Sequence, residues 1–145
     1  MKLSTRVRFG LRIMVQIAAE CDVRPVFSRR IAAQQDISEA YVDQILLPLR
    51  AGGLLVSQRG RSGGYRLAKP ASQITALDVV EVLEGEISMV DCICRPGSCK
   101  RAPACPTRQV WVKLNQSIRE CLAAVTLEQL RLDSRLLEQK LDYTI

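Results

Sequence analysis

Apolar residues recur at helical spacing early in the chain, at Val7, Leu11, Met14/Val15 and Ala18, with Arg8, Arg12, Gln16 and Glu20 on the opposite face. That period predicts a first amphipathic helix, which Ser4 or Thr5 can cap. Ser28 then precedes RRIAAQQ, a short helical segment in which Ile31 and Ala32 can pack, before Asp36-Ile37 interrupts it. Ser38 offers the next N-cap, and Val42, Ile45, Leu46 and Leu49 form one apolar stripe that Gly52-Gly53 closes. Two short helices joined by about three residues make a helix-turn-helix. Pro48 falls inside the second of them, where proline costs about 3 kcal/mol and a hydrogen bond, so a kink or an early end is expected there.

LLVSQ and YRLA read as two short strands around RGRSGG, whose glycines permit the positive φ angles of a distorted hairpin. A basic hairpin directly after a helix-turn-helix is a wing. Thr75-x-x-Asp78 starts a further helix with a capping box in which Ile74 can staple onto Val79, and this helix runs to Gly85. Residues 86–106 lose periodicity, with Pro96, Gly97, Pro103 and Pro106 among cysteines, and read as an irregular loop. From Thr107 the positions Trp111, Leu114, Ile118, Cys121/Leu122 and Val125 alternate three and four, the seam of a helix that packs against another long helix. A second copy of the chain is its natural partner. Thr126-x-x-Gln129 opens a last helix bearing Leu127 and Leu130, and beyond Ser134 the pattern weakens. The expected fold is mainly α with a small β-hairpin wing: a winged helix-turn-helix followed by a long C-terminal dimerisation helix. Its expected divisions are a DNA-binding region over 1–85, a cysteine-rich loop over 86–106, and the dimerisation helix with a C-terminal helix or tail over 107–145.

Composition narrows the function. The chain has 145 residues, 48% hydrophobic and 25% charged, which suits one globular domain. It contains no histidine, so a Ser-His-Asp triad, a Cys-His pair and any His-ligated metal are excluded. Binding rather than turnover is expected, and the protein is not read as an enzyme. Residues 1–70 hold twelve Lys/Arg against five Asp/Glu, a net +7, whereas residues 71–145 hold nine against ten, a net −1. A basic charge carried by one half points to a polyanion, foremost nucleic acid. No stretch reaches the roughly 18 apolar residues that span a bilayer, and Arg6, Arg8, Arg12 and Gln16 interrupt the signal-like N-terminus. A cytoplasmic location without a membrane partner is therefore expected.

Two constellations carry the chemistry. Ser38, Glu39, Tyr41 and Gln44, near the start of the second short helix, would meet base edges of double-stranded DNA, while Arg59 and Arg61 on the wing reach the minor groove or phosphates. Tyr41 has core packing as its other reading. The second constellation is Cys92, Cys94, Cys99 and Cys105, four thiols within fourteen positions of a Pro/Gly loop. Such a loop can converge thiolates on one point, as iron–sulfur ligation requires, and Arg95, Lys100, Arg101 and Arg108 lower thiol pKa and offset an anionic cluster. Structural zinc and a cluster-free thiol switch are the alternatives, although the paired Cys-x2-Cys spacings of zinc sites are absent. An electron carrier or cluster-delivery protein is a further reading, one that has no use for a basic wing. Cys21 and Cys121 lie on apolar stripes and are expected to be buried small hydrophobes.

The segments ISEAYVDQILLPLRAGGLL, RGRSGGYRLAKP, ITALDVVEVLEG, CICRPGSCKRAPACPTRQVW and TLEQL resemble the IscR/NsrR family of winged-helix regulators over about residues 1–130. The resemblance implies a homodimeric transcription factor that represses operators and senses iron–sulfur status, redox state or nitric oxide through a 2Fe-2S or 4Fe-4S cluster. It implies cluster ligation by Cys92, Cys99 and Cys105, with Cys94 surplus or a replacement ligand, and DNA contacts from Ser38, Tyr41, Gln44, Arg59 and Arg61. Asp43 falls where iron–sulfur-assembly regulators carry an acidic specificity residue. Arg108 stands where those regulators have a histidine ligand, and residues 1–10 hold no Asp or Glu. The fourth ligand is therefore open among Cys94, a carboxylate such as Asp91, and a small exogenous molecule.

Overall fold

The computed structural model describes residues 3–144. Helix α1 spans Thr5–Glu20, α2 Ser28–Gln35 and α3 Glu39–Ala51, followed by strands β1 (Leu55–Gln58) and β2 (Gly64–Leu67). Helices α4 (Ala76–Glu84), α5 (Asp91–Cys94), α6 (Arg108–Ala124) and α7 (Leu127–Asp142) complete the described chain. No helix among the described residues is long and apolar enough to cross a membrane.

Helix starts follow local chemistry. The Ser4 hydroxyl accepts from the Val7 N–H, and the Ser38 hydroxyl accepts from the Tyr41 N–H. Thr75 and Asp78 form a complete capping box on α4. Each cap satisfies a backbone donor that the first helical turn leaves unpaired, worth about 1 kcal/mol. Proline 48 does not end α3, which continues to Ala51. The stripe Val42, Ile45, Leu46 and Leu49 is fully buried on both sides of it, and that burial, about 1.5–3 kcal/mol per side chain, outweighs the proline. The last helix also runs past Ser134, where the apolar pattern weakens, as far as Asp142.

The core is centred on α1. Its Ile13, Met14 and Ile17 are fully buried and packed with the α3 stripe, with Val79, Val80 and Leu83 of α4, and with Leu127 of α7. Gly10 allows α1 and α4 to approach closely, since a Cβ there would stand 2.2 Å from Leu83 Cδ1. Gln16, buried on the same helix, gives its amide N–H to Glu20 and takes one from Gln35 at 2.9 Å, while Arg30 pairs with Glu20 at 2.5 Å. These bonds tie α1 to α2 through polar groups that would otherwise be orphaned.

Two pairings outside the helices fix the remaining pieces. In the hairpin, Leu55 pairs with Leu67 and Gln58 with Gly64 in antiparallel register. Val26, just before α2, exchanges backbone hydrogen bonds with Tyr65 at 2.8 and 2.9 Å, and the Arg66 guanidinium donates to the Cys21 carbonyl. The wing is thus fastened to the α1–α2 connection. Gly64 makes this possible: its φ is +121°, and a Cβ would lie 2.7 Å from the Val26 carbonyl. At the other end, Ala76 N–H bonds Val125 O at 2.8 Å and Leu127 N–H bonds Ile74 O at 2.9 Å, so the N-termini of α4 and α7 are joined side by side.

Replacing Gly64 combines backbone strain with a backbone collision that no rotamer change relieves. Gly64→Ala is expected to destabilise the fold by about 2–4 kcal/mol, read as a lower urea midpoint at unchanged slope. Gly53→Ala serves as the control, since its φ of +77° is strained but a Cβ there meets nothing within 4 Å.

Candidate DNA interface and thiol loop

Ala40, Asp43, Gln44, Leu47 and Arg50 are exposed and form one face of α3. Opposite them lies the buried stripe, so helical period alone turns this face outward. Of the residues singled out from sequence, Asp43 and Gln44 are on it, and neither has a side-chain partner among the bonds of the described residues. Ser38 is exposed, and its hydroxyl accepts from the Tyr41 N–H as the α3 cap. The Glu39 carboxylate accepts from the Ser28 hydroxyl at 2.7 Å and so braces α2 against α3. Tyr41 is half-buried with its ring edge-on to Phe9 of α1 at 6.0 Å.

Arg59 and Arg61 stand exposed in the hairpin turn. The basic surface extends further than the wing. Arg50 donates to the Ser57 hydroxyl at 3.2 Å, so a cation sits where α3 meets β1. Arg6 of α1 lines a shallow cavity of about 440 Å³ together with Tyr41, Gln44, Leu47 and Pro48. Arg50 and Leu47 were legible as the continuation of the Gln44 face by steps of three. Arg6 was not, because its place beside α3 depends on how α1 crosses it.

The cysteine segment is not wholly irregular. Residues 91–94 form the single turn α5, and Ala102–Ala104 form a 3₁₀ turn. Pro96 follows the first of these within two residues and Pro106 the second, and neither turn can be extended as a regular helix past its proline. Cys92 and Cys105 line one cavity of about 510 Å³, whose walls include Ile93, Pro96, Pro103 and Arg108. The Arg108 guanidinium donates to the Cys92 carbonyl at 3.4 Å, linking α5 to the first turn of α6. Cys94 is off this cavity, its thiol directed to the Asp91 carbonyl at 3.8 Å, and Cys99 is exposed outside it. Among the described residues no three His, Cys, Asp or Glu side chains converge as a metal-binding group. The donor set is nonetheless the thiolate chemistry that iron–sulfur clusters take, and two of its members already face a common space. Cys105 Sγ lies 3.2 Å from the Thr107 hydroxyl, which, with the Arg108 backbone N–H, holds the thiol below its usual pKa. Of the two thiols expected in the core, Cys21 is buried, but Cys121 is exposed. Its side of α6 faces away from the body, whereas Asn115 is buried and Ile118 and Leu122 pack against the core on the side where α6 meets α4.

A family model described as an iron-dependent transcriptional regulator, Rrf2, matches residues 3–132. The chain belongs to the Rrf2 family. It is therefore a DNA-binding transcriptional regulator and not an enzyme. Among its Rrf2 relatives is the regulator CymR of Bacillus subtilis, 38% identical over 130 residues, 90% of this chain and 89% of that protein. The structure of CymR, the global cysteine regulator of B. subtilis, superposes with a TM-score of 0.76 at 37% identity, covering 90% of this chain and 96% of the other. T. potens IscR superposes equally well, TM-score 0.76 at 33% identity, covering 92% and 88%. The mostly helical fold with a two-stranded wing is that of these winged-helix Rrf2 regulators.

The Thr107 contact predicts a pH effect. A lowered thiol pKa leaves more thiolate at a given pH, so Cys105 in metal-free protein should alkylate at lower pH than an ordinary cysteine peptide. Thr107→Val removes the principal cause and should shift the Cys105 rate profile to higher pH, followed by mass-spectrometric peptide mapping after iodoacetamide pulses.

Proposed function

We propose that this Rrf2-family chain is a homodimeric operator-binding regulator whose DNA affinity is set by an iron–sulfur cluster, 2Fe-2S or 4Fe-4S, at Cys92, Cys99 and Cys105. The single observation that carries the sensing part is the shared cavity of Cys92 and Cys105 against Arg108, at the N-terminus of α6. The family's description as iron-dependent supports the same reading. Such a cluster supplies a centre that responds to iron supply, oxidants and nitric oxide.

The chain's own residues provide the rest. Asp43 and Gln44 on α3 face the bases, and Arg59 and Arg61 on the wing take phosphates or the minor groove. Ser38 and Glu39 act mainly by holding α3 in place, through the cap and the bond to Ser28. Val110, Trp111 and Leu114 leave an apolar face of α6 uncovered in a single chain, which a second α6 would cover. The Cys92 carbonyl on Arg108 joins the loop to that same helix. Order in the loop is thereby coupled to the geometry between two DNA-reading heads, a shift between two populations.

A metal-free thiol switch is the second reading. It is favoured by Cys92 and Cys105 facing one space with Cys105 acidified. The two readings differ in content. Anaerobically prepared protein is expected to be brown and to hold iron and sulfide. Colourless protein with stoichiometric zinc, or with a Cys92–Cys105 disulfide as its only oxidised form, would overturn the cluster. Cys92→Ala, Cys99→Ala and Cys105→Ala should each abolish stable iron loading, whereas Cys94→Ala should retain it, as counted after anaerobic reconstitution.

For the DNA part, Arg59→Ala or Arg61→Ala is expected to cost about 1–3 kcal/mol of operator affinity where the side chain reads a base. Where it contacts phosphate, a sequence-independent loss with a shallower salt slope is expected. Fluorescence anisotropy across a salt series separates the two. Unchanged affinity of the double variant at moderate salt would remove the wing from the interface.

A further inference from the structure

Leu47 is out of place by the logic of the core. It is 60% exposed, although Leu46 and Leu49 on the same helix are fully buried and the apolar stripe of α3 is complete without it. It lies instead in the middle of the outward face, one turn beyond Asp43 and Gln44. From Ala40 to Leu47 that face runs seven residues, about 10 Å at 1.5 Å per residue, close to the rise of three base pairs. The surroundings are cationic. Arg6 shares a shallow cavity with Leu47, Tyr41 and Gln44, Arg50 follows on the same face, and Arg59 and Arg61 stand on the wing. An apolar side chain framed by arginines fits a polyanion that also carries apolar groups. In the major groove that group is the C5-methyl of thymine.

We propose that Leu47 is a specificity residue that packs on a thymine methyl, so that each operator half-site carries an A·T pair beneath the third turn of α3. The proposal rests on α3 being the helix that enters the groove. Burying the leucine against a methyl removes apolar surface from water on both partners, a gain made only when the thymine is present. Gln44, one turn earlier, can donate its amide N–H to adenine N7 and accept from the adenine N6 amino group with its carbonyl oxygen in the same groove, which extends the A·T preference along the face.

Duplexes are first enriched from a random pool with the full chain. Each thymine of the enriched half-site is then replaced singly by deoxyuridine, which removes the methyl and leaves every hydrogen-bonding group in place. One thymine per half-site is expected to show a three- to five-fold loss of affinity, about the worth of one buried methyl. The exposed Leu47→Ala variant, checked for folding by circular dichroism, is expected to bind thymine and uracil duplexes equally. Absence of any methyl-sensitive position would overturn the proposal while leaving DNA binding intact. So would a uracil penalty undiminished in Leu47→Ala. If Leu47→Ala binds the thymine duplex as tightly as the parent, the residue belongs to a protein-facing surface instead. Failure to enrich any duplex would overturn the DNA reading itself.

Discussion

Burial of the α1 stripe is the constraint on which the other elements depend. Ile13, Met14 and Ile17 are packed between the helix-turn-helix on one side and α4 and α7 on the other. Gly10 brings α4 within a distance that no other residue at that position would allow without displacing Leu83. A glycine inside a helix costs roughly 1 kcal/mol relative to alanine, and here it secures contact between two apolar faces. A shared wall of this kind makes the two sides mechanically dependent. Close-packed side chains do not slide continuously, so a change in the pose of α4 or α7 reaches α3 through a repacking of α1.

The thiol loop lies outside that wall. Apart from Ile87, residues 86–106 contribute nothing to the core, and their order comes from single turns, prolines and a few polar bonds such as Arg108 to Cys92. A segment with so few buried apolar contacts can have its ordering changed at little energetic cost, as the proposed sensing role requires. The rigid head and the soft loop meet at the first turn of α6. Thr107, which lowers the Cys105 pKa, stands immediately before that turn, and the turn leads to the uncovered apolar face of Val110, Trp111 and Leu114. Thiol chemistry and helix packing therefore converge within a few residues.

Much of this was legible because period and caps agreed. Ser4, Ser38 and the Thr75–Asp78 box each stand directly before an apolar stripe of the right spacing, and all three helices begin there. The failures came from tertiary competition. At Pro48 a local cost lost to four buried side chains. At Cys121 the stripe of α6 was read as one seam, yet the body covers only the edge bearing Asn115, Ile118 and Leu122. Among the candidate base readers, side-chain type could not reveal that Ser38 and Glu39 already had partners, because Ser28 lies ten positions before Ser38 and meets Glu39 only through the turn between α2 and α3. Arg6 was invisible for the same reason. The exposed half of the α3 face, by contrast, followed from the buried half by simple subtraction.

The side-by-side pairing of Thr75 with Thr126 turns residues 76–125 into a loop with fixed ends. Closure entropy grows only as the logarithm of loop length, so adding two or three residues there costs under about 0.1 kcal/mol. The distance between successive cysteines can therefore drift over generations without disturbing either the reading head or the last helix. A fold joined in this way can vary the spacing of its loop thiols while the helices that pack on α1 keep their places.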